Sequence, residues 1–167
     1  MVLKCNRMKK KLTILLIAFS LNSFSQETEK KNLINVTTFK TIPTELNGCG
    51  EWYYKNKINT KNWLNNSSNY NEELVYFEQL SNVENRVCMI SIDGKELVLH
   101  YKLDFKEGNE SVSVFSNEEY TIYIHKKKLI EKYDDGAMFF DFFSSEIVII
   151  DKSKRRITLK VFSAKGC

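Results

Sequence analysis

The chain has 167 residues, 43% of them hydrophobic and 13% aromatic, with 25 Lys and Arg against 21 Asp and Glu for a formal charge of +4. That length supports one domain with a real core. Five of the bases and none of the acids fall in the first 25 positions, so 20 bases face 21 acids in the remainder, a balance that does not supply the clustered excess of Lys and Arg a nucleic-acid surface needs.

The chain opens on a targeting pattern. Lys9, Lys10 and Lys11 precede an apolar run of about ten residues, and the small residues Ser23 and Ser25 follow. This is the order of a secretory signal peptide, and the run is shorter than the roughly 20 residues a membrane span needs. Residues 1–25 are read as that signal, with a start at Met8 leaving 1–7 as an upstream extension, and cleavage is expected just before Gln26. Cys5 precedes the apolar run, so it is not placed as a lipoprotein cysteine. The expected destination is the periplasm or the exterior, with no transmembrane segment once the signal is removed. Residues 26–38 read as a polar leader and 39–167 as a single β domain.

Alternation of apolar and polar residues dominates that domain. Strands are predicted over 52–55, 74–80, 87–93, 96–105, 111–116, 119–126, 146–151 and 156–162, about eight in all, as an antiparallel sandwich or closed barrel. Asp93-Gly94 suits a type I′ hairpin between the third and fourth, because both turn positions need positive φ. In the fourth, Leu97, Leu99, Tyr101, Leu103 and Phe105 are expected on one face. Turns are expected near Asn117-Glu118 and through Lys152-Ser153-Lys154. Residues 59–73 are rich in Asn and Ser and read as a long surface loop carrying Trp63 and Tyr70. Helical periodicity is confined to Lys128–Tyr133. Lys126-Lys127-Lys128 and Lys154-Arg155-Arg156 read as solvated turn faces.

Phe139, Phe140, Phe142 and Phe143 surround Asp141. Strand aromatics of this kind fill a β core. The alternative is an interaction patch in which these four join Trp63 and Tyr70, favoured by the turn signal Asp134-Asp135-Gly136 just ahead.

Once the signal is removed, Cys49, Cys88 and Cys167 remain, an odd number. Cys88 shares a strand face with Ile90 and Ile92 and reads as a small hydrophobe. Cys49 and Cys167 lie beside glycines at the two ends of the domain, in a compartment where disulfides persist, and are the expected pair. Cys49–Cys88 is the rival pairing.

Ile42-Pro43, Leu46-Asn47-Gly48-Cys49 and the terminal Gly166-Cys167 resemble the ends of a group of small secreted proteins of unknown function from Bacteroidota. Second cysteines stand in that group where this chain has Glu51 and Lys165. The resemblance implies a secreted β domain and carries no activity with it.

Catalytic patterns are sparse. His100 and His125 come without HExxH or CxxC spacing, and Asp134, Asp135 and Asp141 lack the ligand order of a calcium loop, so neither a metal nor an organic cofactor is expected. There is no GxSxG elbow, phosphate-cradling glycine loop or dinucleotide fingerprint. The expected function is a non-enzymatic, inhibitor-like binding module for another envelope or extracellular protein. The alternatives are an enzyme whose site is assembled from scattered residues, and a structural envelope protein.

Overall fold

The computed structural model describes residues 33–39, 49–65, 73–79 and 86–167. Ile34–Cys167 form one structural unit. Its elements are β1 (Gly50–Tyr54), α1 (Thr60–Asn65), β2 (Leu74–Gln79), β3 (Val87–Ile92), β4 (Lys95–Glu107), β5 (Glu110–Ser116), β6 (Tyr120–Asp134), β7 (Phe139–Asp151) and β8 (Arg156–Gly166). Each strand pairs antiparallel with the next, and β8 returns to β1, so the sheet closes as a barrel and not as a sandwich. The signal, Pro43 and Tyr70 lie outside the described residues. Among those residues, no helix is long and apolar enough to cross a membrane.

Local chemistry sets the turns. Asp93 (φ 53°) and Gly94 (φ 74°) both take positive φ, as a type I′ hairpin needs. At the next turn but one, Asn117 Oδ1 accepts from the Glu119 and Tyr120 amides at 2.9 and 2.8 Å. Asp134 and Asp135 serve the β6–β7 turn in the same way. Asp134 Oδ1 accepts from the Gly136 amide, and Asp135 Oδ1 accepts from Ala137 and Met138. Those amides, Met138 first, hold the Asp135 carboxyl below its ordinary range. The acidic pair is therefore a turn device.

Two apolar clusters form. One draws on all eight strands and so fills the lumen, with Tyr53, Tyr76, Cys88, Ile90, Leu99, Phe115, Ile122, Ile147 and Val161 among its members. The second lies on the outside of β1, β2, β7 and β8 beneath α1, and includes Phe39, Tyr54, Ile58, Trp63, Phe140, Phe142 and Phe162. α1 lies where a plain loop is expected from sequence. Asn59 caps it, its Oδ1 accepting from the Asn62 amide at 3.1 Å. Ile58 and Trp63 stand at the two positions of a hydrophobic staple.

β6 and β7 are longer than the sequence suggests. Residues 128–133 are strand, with register shifts between Lys126 and Lys128 and between Leu129 and Glu131 that scramble the period-2 signal. In β7 aromatic side chains occupy both faces, so its alternation is invisible to a hydrophobic pattern. β4 corrects a second expectation. A shift between Tyr101 and Leu103 turns Leu103 and Phe105 away from the lumen, leaving them 48% and 39% exposed. Ile34–Thr38, read as the end of a leader, packs against the barrel within the same structural unit. Ile34 is buried, Val36 bridges Ile92, and the Thr37 amide donates to Ser91 O.

Candidate binding site

Three of the six aromatics offered as an alternative interaction patch lie in the interior. Trp63, Phe140 and Phe142 are buried. Trp63 meets Phe140 edge-on at 4.9 Å and Phe142 at 5.6 Å, while its Nε1 donates to Tyr54 Oη at 2.8 Å. Phe143 is half-buried near Lys126, and Phe139 is exposed. The two histidines do not meet. His100 pairs with Ser116, which on its other side pairs with Thr121, whereas His125 stands four residues further along β6, about 13 Å away along the strand. Among the described residues no three His, Cys, Asp or Glu gather to hold a metal.

Cys49 and Cys167 are bonded, with Cα atoms 4.3 Å apart. They extend the ladder in which Gly50 faces Gly166, so the bond clasps the first strand to the last. Cys88 is unpaired and wholly buried, and burial pushes its thiol well up, which removes the thiolate a nucleophile needs.

One end of the lumen is polar, a feature without a sequence signal because its members come from five strands and a loop residue. Glu51 and Glu78 are wholly buried. Lys126 Nζ lies 2.6 Å from Glu51 Oε2, and Ser163 donates to Glu51 Oε1 at 3.1 Å. Arg86 donates from Nε and Nη2 to Glu78 Oε1, and from Nη1 to Asp104 Oδ2 at 2.9 Å. Its guanidinium also stacks over Tyr101, 4.6 Å from the ring centre. Lys126 is therefore no solvated turn lysine; it follows Ile122 and Ile124 on the inward face of β6, ahead of the register shift.

Burial and the neighbouring Glu51 charge raise the Glu78 carboxyl, and Arg86 and Lys126 pull it back. Burial disfavours the Arg86 charge, but Glu78 and Asp104 more than offset this and hold it above its ordinary value. Burial, then Glu51 and Glu78, push the Tyr53 hydroxyl up. In this network each carboxylate is paired with a cation.

A different feature faces solvent. β1 covers only Phe162–Gly166 of β8. Among the described residues, the stretch 156–161 is paired with β7 alone. Across from that free edge lies the segment 34–36, and between them is a hollow of about 220 Å³ floored by Val75, Leu159 and Val161. Lys55, Lys160 and Val161 are shared with an adjoining hollow of about 270 Å³ that reaches Ile130 and Phe162. A third, of about 440 Å³, continues past Lys57 to Lys61 on α1. Lys55, Lys57, Lys61 and Lys160 are exposed on the rims, and none has a carboxylate partner among the described residues. Glu131 also lines the third hollow, its carboxylate accepting from Thr60 at 2.6 Å. The result is a groove with an apolar floor, a basic rim and a free strand edge. It could not be read from sequence because it depends on β1 being six residues shorter than β8.

No protein-family model, curated protein or solved structure matches this chain.

Proposed function

We propose that this chain is an exported, non-enzymatic binding module that holds another envelope or extracellular protein in the groove beside β8. The observation that carries this is the groove itself: apolar floor and basic rim converge where, among the described residues, β8 extends past β1 and is paired on one side only. The Cys49–Cys167 bond supports an oxidising destination, since such bonds persist outside the cytosol. The signal pattern at residues 8–26 points the same way. A rigid, disulfide-clasped scaffold suits binding because little conformational freedom is lost on association.

Site-specific photocrosslinking in exporting cells tests this. A photoreactive residue at Leu159 should yield a discrete adduct with one partner, and the same probe at Lys102, on the outside of β4, should yield none. Export is checked by the mature N-terminus near Gln26. Absence of any adduct from the groove, or an intact N-terminus on cytosolic protein, overturns the proposal.

A further inference from the structure

We infer that the groove takes an extended acidic segment of its partner as an added β-strand, a deepening that rests on the binding-module reading above. In an antiparallel strand successive residues turn their N–H and C=O groups to opposite edges. The stretch 156–161 therefore offers the donors and acceptors of about three residues to the gap, with no strand among the described residues to receive them. A free strand edge of this kind is a template for main-chain pairing. The hollows follow β8 in series from Ile157 to Phe162, a length of about 17 Å, which fits a strand of about six residues better than a compact small molecule.

The side chains set the occupant. A strand laid along this edge turns alternate residues to the floor, where Leu159, Val161 and Val75 wait, and the others to solvent beside Lys55, Lys57 and Lys160. The fitting sequence thus alternates apolar with Asp or Glu. A second copy of this chain is disfavoured, because its own β8 edge would bring the same lysines against these, and lysines on an exposed edge deter self-pairing. The same lysines select an acidic strand.

The test uses the exported protein with its disulfide intact and, as probe, a capped peptide of four Glu-Val repeats. Backbone amide exchange is followed by NMR. The peptide should slow exchange of the gap-facing amides within 156–161 by about tenfold or more, and salt should weaken the effect. A Lys-Val peptide, and a Glu-Val peptide N-methylated on alternate residues, should both fail. The double variant K55E/K160E changes only exposed side chains and keeps the fold. It should lose affinity for the Glu-Val peptide by about tenfold or more and gain it for Lys-Val. No protection within 156–161, equal binding of the basic peptide, or binding that survives N-methylation overturns strand addition. If the Leu159 adduct still forms under any of those results, the binding-module reading stands and only the strand mode is wrong. If the adduct is absent as well, both are wrong.

Discussion

At the scale of single residues, the charged end of the lumen governs stability. Arg86 is the sole described cation hydrogen-bonded to Glu78, so Arg86→Ala leaves a buried carboxylate without its partner. The loss should be about 3 kcal/mol, the low end for a broken buried pair because the guanidinium sits at the solvent edge. Chemical denaturation checks it. Glu78 also gives a pH signature. Its carboxyl is raised in the folded state, so between its unfolded value of about 4.5 and that higher folded value the native chain binds more protons than the unfolded one. Its contribution to stability therefore falls as pH climbs through that window. Glu78→Gln removes the titration. The melting difference between variant and wild type should move in the variant's favour from pH 4.5 to pH 7, and a constant or reversed difference would show that burial does not raise this group.

At the scale of elements, packing decides what the aromatics do. Trp63→Ala should lower stability by about 3–5 kcal/mol, as loss of a buried core aromatic does, and thermal melting would show it. A surface patch residue would leave melting unmoved. At the barrel's seam, a Cβ on Gly166 would collide with the Phe139 carbonyl oxygen, and backbone there cannot step aside. Gly166→Ala should therefore cost about 1–3 kcal/mol by overpacking. Which elements were legible follows the same physics. Asp93-Gly94 and the paired strands around Asn117 announced themselves through local turn chemistry. α1 did not, since its Asn59 cap and Ile58–Trp63 staple were hidden in an Asn-rich stretch. β6 and β7 were truncated because two bulges and two aromatic faces erase alternation. The polar lumen and the groove were out of reach, because both depend on which strands meet across the barrel.

At the scale of the whole molecule, one covalent bond and one gap define the design. The Cys49–Cys167 link spans 118 residues, and chain entropy assigns such a closure on the order of 4–5 kcal/mol. Reduction should lower the melting temperature sharply, while Cys88 should react with thiol reagents only after unfolding. The wall is clasped at that end, where β1 runs beside β8; further along, β8 has no partner on that side among the described residues. Everything proposed about binding depends on that contrast within a single strand. Amide hydrogen exchange along β8 in the free protein reads it directly. Gap-facing amides within 156–161 should exchange fast, while those from Phe162 to Lys165, flanked by β1 and β7, should all be protected. Uniform protection from Arg156 to Gly166 would mean that the edge is already occupied, leaving no open groove for a partner strand to enter.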